Sequence, residues 1–445
     1  MDGSVQRWDQ QLESPDRDAL SADQLEHLRP YVVNLTLGEF SSDGIMQTTK
    51  EDVDAIFDLH LPDFLDRARA DGVTGLVPLV FWAHGGVVSE RAGLKIAANQ
   101  VPWWLANGAY PLHFVWETGF VETLKQLVGL RRSREIAAGR SDDVPELQSG
   151  PVGWGLWSAV KESAALASVP GGGAHYVGER LAQFCAEHHG RVSVHAAGHS
   201  AGAIFHSHFI PTARKLGVPS FASLQLLAPA LRVDGFRSQL LPMVDRDINK
   251  ITVYTMNMQA ENDDNCFQIY RKSLLYMVSQ IFEPEDDAPI LGLEQSIRND
   301  PELTVAFGLT PGVPGRVEVV WSPTEGQAQP DCRSSATSHG GFDNDTDTMN
   351  SVARRILRRT DIVEFTEGGS RPGGALESAM AAPPGWAGAG RPAVQGSSAA
   401  GSSPASAGTA ASLGSAASLG SAASLGSAAS LGSAASLGAA APANA

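Results

Sequence analysis

Short apolar runs punctuate the chain, and the segments between them carry a different period. "PYVVNLTL" (30–37), "GLVPLVFWAHGG" (75–86), "AYPLHFVWET" (109–118), "RVSVHAAGHS" (191–200), "SFASLQLLAPAL" (220–231), "KITVYTMNMQ" (250–259) and "RVEVVWSPT" (316–324) are rich in Val, Ile and aromatic residues. Each is bounded by Gly, Pro, Asn or Asp, which predicts strands. The segments "PDFLDRARADG" (62–72), "ETLKQLVGL" (122–130), "GERLAQFCAEHHG" (178–190) and "YRKSLLYMVSQIFE" (270–283) repeat their apolar positions at helical spacing. Strands alternating with helices predict an α/β fold, with a mostly parallel central sheet and helices on both faces.

Two stretches break the alternation. Residues 119–190 are too long for a simple crossover, and they predict an inserted excursion, either a helical cap over the site or a helix pair joined by a surface loop. From residue 367 onward the chain is dominated by Gly, Ala, Ser and Pro, and it carries TAASLG at 409–414 followed by SAASLG units through 438. So little apolar surface cannot offset the entropy of ordering. The expected organisation is therefore a globular domain over 1–366 and a disordered tail over 367–445.

Bulk properties narrow the function classes. At 445 residues and 43% hydrophobic, the chain can bury a large core. A net charge of −16 argues against nucleic acid or an anionic membrane as partner. The polar, acidic first residues hold no apolar signal core, and no apolar run reaches the ~18 residues of a membrane span. Cys185, Cys266 and Cys332 lack CxxC spacing, so no metal site and no cofactor are expected. Cys266 and Cys332 flank two candidate catalytic loops, as free thiols or as a clip between them. The expected setting is the cytoplasm.

The candidate chemistry centres on Gly198-His199-Ser200-Ala201-Gly202, at a predicted strand-to-helix junction. A serine in such an elbow is held in a strained conformation, and glycines two residues either side relieve the crowding. The hydroxyl needs a base. His206 and His208 fall on different faces of the following helix, and His188 and His189 sit at a helix end. His339, in "SSATSHGGFDND" after the last predicted strand, is the candidate base. An acid must orient it. The turn "AENDDNCF" crowds Glu261, Asp263 and Asp264 after the penultimate strand; Asp263 is the first choice, Asp264 the alternative, and Asp234 a third candidate. His84-Gly85-Gly86 ends another strand, so backbone amides at Gly85, Gly86 and Ala201 are the candidate oxyanion donors. His84 and His199 are candidate substrate contacts. Trp103, Trp104, Trp154 and Trp157 are read either as acyl-pocket lining or as core.

In the order strand-HGG, strand-GHSAG-helix, strand-acid, strand-His, these segments resemble the α/β-hydrolase superfamily over roughly residues 30–360. The resemblance implies an eight-stranded, mostly parallel sheet and a serine-esterase or lipase-like site. The spacing Ala260 to Asp263 to Cys266 is similar to the family's acid turn, with Ala for Gly and Cys for Val. The expected activity is hydrolysis of a small-molecule carboxylic ester by Ser200, His339 and Asp263. Acyl transfer, and a non-catalytic scaffold on the same fold, are the alternatives.

Overall fold

The computed structural model describes residues 19–86, 88–117, 151–266 and 270–366. These fall within one compact unit. The repeat tail expected to be disordered, and the helix expected at 122–130, lie outside the described residues.

The sheet is built from β1 (Val32–Thr36), β2 (Glu39–Phe40), β3 (Val77–Ala83), β4 (Tyr110–Glu117), β5 (Val192–His199), β6 (Phe221–Leu227), β7 (Ile251–Met256) and β8 (Val317–Ser322). Its order is β2-β1-β4-β3-β5-β6-β7-β8, eight strands in all. Every neighbouring pair is parallel except β1 with the two-residue edge strand β2. The apolar runs of the sequence each contain one of these strands. β2 was not anticipated, because two residues carry no period. The long helix Glu90–Ala106 was also missed; Gly93 and Pro102 interrupt its pattern.

Strand side chains alternate between faces, so the register sorts the core. On one face Phe81 and Phe114 meet Phe205 and Phe209 of the helix Gly202–Lys215, with ring centroids 4.8 to 5.7 Å apart. Burying each such phenylalanine contributes about 2–3 kcal/mol. On the other face Val32 and Val115 pack with Leu94, Ala97 and Val101 of the helix Glu90–Ala106. Helices therefore cover both faces.

The described half of the 119–190 excursion consists of the helices Pro151–Ala167 and Gly173–Glu187. Both contribute to the core: Trp157, Val160, Ala164, Val177 and Leu181 are fully buried. Trp103 and Trp104 are also core, their rings tilted against each other with centroids 4.4 Å apart, whereas Trp154 is exposed. All three cysteines are free thiols, so Cys266 and Cys332 do not form a clip. Among the described residues, no helix is long and apolar enough to cross a membrane.

Candidate active site

The junction between β5 and the helix Gly202–Lys215 is an elbow. Ser200 sits there at φ +53°, in the left-handed region that side chains disfavour. Backbone bonds hold it there. Its N–H donates to the Leu227 carbonyl at 2.8 Å, and its own carbonyl accepts from Ala203 (3.1 Å) and Ala230 (3.0 Å). The flanking glycines are a steric requirement. A Cβ on Gly198 would lie 2.8 Å from the Gly202 backbone, and one on Gly202 would lie 2.1 Å from the Ala83 carbonyl oxygen. The elbow helix thus presses its first turn directly onto the end of β3.

The end of β3 carries His84-Gly85-Gly86. A Cβ on Gly85 would approach the Ser200 Cβ to 3.2 Å, and one on Gly86 would approach the Ala201 Cβ to 3.0 Å. The two backbone segments expected to supply amides therefore lie side by side at Ser200. His84 points inward, with both ring nitrogens committed. Its Nδ1–H donates to the Gly85 carbonyl (2.8 Å), and its Nε2 accepts from the Trp116 backbone N–H (3.1 Å). The Trp116 indole N–H in turn donates to the His84 carbonyl at 3.0 Å. Burial keeps the imidazole neutral, pushed down to about 4. His84 is a brace for the glycine turn, and no nitrogen is left for a substrate.

His339 begins a short turn after β8 and is buried, at 2% exposure. Neither of its ring nitrogens has a hydrogen-bond partner. Burial, with a smaller contribution from the charge of His199, holds it well below the ordinary histidine range. Its peptide is gripped from both sides. Asp264 Oδ2 accepts its backbone N–H at 2.9 Å, and the His199 Nε2–H donates to its carbonyl at 2.9 Å. The His199 and His339 rings lie 5.2 Å apart. His199 Nδ1 faces Asp343 Oδ2 at 3.6 Å. Sequence reasoning did not single out Asp343; its one signal was an acid four residues after His339.

The acidic turn resolves differently from the first choice. Asp263 ends the helix Met258–Asp263 and is exposed. Asp264 follows it in extended conformation and reaches His339. Burial raises the Asp264 carboxyl, opposed by the N–H groups of His339 and Asn265. Burial also raises Glu261 well above the carboxylate range, and Asp343, where the charge of His199 works against it. Asp234 is exposed and paired with Arg232, away from this cluster. His339, His199, Asp264 and Asp343 are thus linked, with His199 next to Ser200 in the chain, and Asp263 takes no part. Neither His339 ring nitrogen is hydrogen-bonded to the Ser200 hydroxyl. Ser200 is 2% exposed. Cavities of about 400 and 720 Å³ open elsewhere on the sheet, and neither is lined by Ser200 or His339.

The chain matches no protein-family model and no curated protein sequence. What the cluster does must be argued from its geometry.

Proposed function

We propose that this protein is a serine hydrolase of α/β-hydrolase type that cleaves a carboxylic ester. The observation that carries the reading is the strained Ser200, at φ +53° between β5 and its helix, with the Gly85 turn against its Cβ. Strain of this kind costs on the order of 1–3 kcal/mol and persists where it serves a function. The buried His339, neutral and with both ring nitrogens unengaged, supports the role of base.

In this reading the Ser200 Oγ attacks the acyl carbon while His339 takes its proton. Backbone amides of the Gly85-Gly86 turn and Ala201 meet the oxyanion. The imidazolium then protonates the leaving alcohol, and water, activated by His339, releases the acid. In this reading Asp264 takes the place expected of Asp263 and positions His339 through its hold on the histidine peptide. One observation favours the non-catalytic alternative: Ser200 is buried and lines neither cavity.

A fluorophosphonate probe separates the two. Labelling of the wild type that is lost in Ser200→Ala and in His339→Ala is the expected result. An unlabelled wild type, or equal labelling of Ser200→Ala, overturns the proposal.

A further inference from the structure

A parallel sheet buried under helices normally presents aliphatic side chains on both faces. One face here does so. Val194, Ala196, Leu224, Leu226, Ile251 and Val253 are all buried on it. The opposite face of the same strands is mixed: Ala197, Leu227 and Tyr254 are buried there, with polar residues among them. The register sets His195 beside Ser223, Gln225 beside Thr252, and Thr252 beside Glu318. The polar floor is therefore two short rows, His195 with Ser223 across β5 and β6, and Gln225 with Thr252 and Glu318 across β6, β7 and β8, the second meeting Ala197 on β5. His195, Ser223, Gln225 and Thr252 are all buried. His195 is satisfied by Ser193 and Ser223, and Thr252 accepts from Arg355, so the burial cost of an unpaired polar atom falls on Gln225.

A cavity of about 400 Å³ lies over this floor, within the range of small-ligand sites. Its wall is the end of the helix Thr346–Leu357 and the residues after it. Arg354, Arg355, Arg358, Arg359 and Lys250 line it, against Glu318 and Asp331. Cations outnumber acids here in a chain of net charge −16. Arg354 is paired with Glu364 and Arg355 with Glu318. Arg359 donates to the Asn107 carbonyl, and Arg358 meets no carboxylate among the described residues. The Arg358 charge is nonetheless felt at the floor: after burial, it is what keeps the His195 ring neutral, down to about 3. Gln225 Oε1, also in the floor, is buried without a donor.

Arginines at a helix C-terminus are ordinary, since they complement its dipole. That accounts for some of the cations. It does not account for the buried Gln225 acceptor left open beneath them.

We propose that this cavity binds a small phosphate ester. Arg358 and Arg359 take the phosphate, and a hydroxyl on the remainder of the molecule donates to Gln225 Oε1. The site is separate from the proposed active site, because His195 precedes Ser200 by five residues, about 16 Å along an extended strand.

The test titrates the full chain with glycerol 3-phosphate and with inorganic phosphate at matched ionic strength, by calorimetry and thermal melting. Glycerol 3-phosphate is expected to bind saturably and more tightly than inorganic phosphate, because only the ester brings hydroxyl groups to the floor. Arg358→Glu should weaken it about 10- to 100-fold, the worth of a charge-assisted hydrogen bond. Arg358→Lys should retain most of the affinity, and Arg67→Glu, a remote charge reversal, all of it. Fluorophosphonate labelling of Ser200 should be the same in Arg358→Glu as in the wild type, so the two proposals stand or fall separately. No saturable binding of the ester, equal affinity for inorganic phosphate, or equal losses in Arg358→Glu and Arg67→Glu would overturn the site.

Discussion

The Asp264 carboxylate accepts the backbone N–H of His339 at 2.9 Å, bridging two loops 75 residues apart in sequence. Its neighbour Asp263 ends a helix in solvent. Successive residues leaving a helix project in different directions, so only one of the adjacent acids reaches the histidine.

Replacing these acids should therefore give opposite results. Asp264→Ala releases the His339 peptide, and a displacement of about 1 Å can cost on the order of 100-fold in turnover. Asp263→Asn should be nearly normal. Asp264→Asn keeps an oxygen for the N–H but loses the charge. A strong loss there points to stabilisation of the imidazolium, and a mild one to anchoring alone. Steady-state kinetics on a p-nitrophenyl ester reads all three, and a crippled Asp263→Asn beside a normal Asp264→Ala would refute the assignment.

Ser200 holds a left-handed backbone that a Cβ disfavours, and glycine would relieve it. Relief is worth about 1–2 kcal/mol, partly offset by the extra freedom of glycine in the unfolded chain. Ser200→Gly should thus be more stable than Ser200→Ala by about 1 kcal/mol, and both should be unreactive toward the probe. Equal denaturation midpoints would mean that the elbow stores no strain.

Acid should destabilise the fold well before its carboxylates dominate. Burial pushes His84 and His206 down to about 4, and His113 and His195 down to about 3, with His339 also well below its ordinary range. Between pH 6.5 and about 4 the unfolded chain takes up protons that the native rings refuse. Stability present above pH 6.5 is lost as pH falls, at roughly 1 kcal/mol per pH unit for each histidine. Glu261, Asp264 and Asp343, raised by burial, act in the opposite sense. The histidines outnumber them, so the melting temperature should drop steadily from pH 7 to pH 5. A flat profile would contradict the burial of these rings as neutral groups.

The domain should end close to Thr366. Phe365 is buried and its N–H donates to Asn350, while the Val363 carbonyl accepts from the Trp103 indole at 2.7 Å. Removing 367–445 should leave melting unchanged, since that composition has little to bury. Stopping at Ile362 removes the Phe365 ring and these hydrogen bonds, a loss of about 3 kcal/mol or more. Similar melting of the two truncations would show that the segment 363–366 is dispensable.

Several features were legible in the sequence because they are local. The strands are runs of apolar residues between breakers, and a parallel sheet buries such runs wherever they fall. The strand-to-helix junction at Ser200 was legible for the same reason: the elbow demands small residues on both sides, and Gly198 and Gly202 are spelled out in order. Other features depended on residues distant in sequence. Nothing in "AENDDNCF" says that Asp264 rather than Asp263 meets His339, because a single residue's turn reverses which side chain faces across. His84 looked like a substrate contact until Trp116, 32 positions away, was seen to occupy its second nitrogen. Asp343 gained a role only when the chain brought it to His199. The polar floor under the arginines was hidden for a related reason: His195, Ser223, Gln225 and Thr252 are each unremarked within an otherwise apolar strand, and only the register between strands sets His195 beside Ser223 and Gln225 beside Thr252 on one face. Period and punctuation are written residue by residue along the chain. Which side chains meet is decided by packing between segments far apart in sequence, and only the tertiary structure determines that.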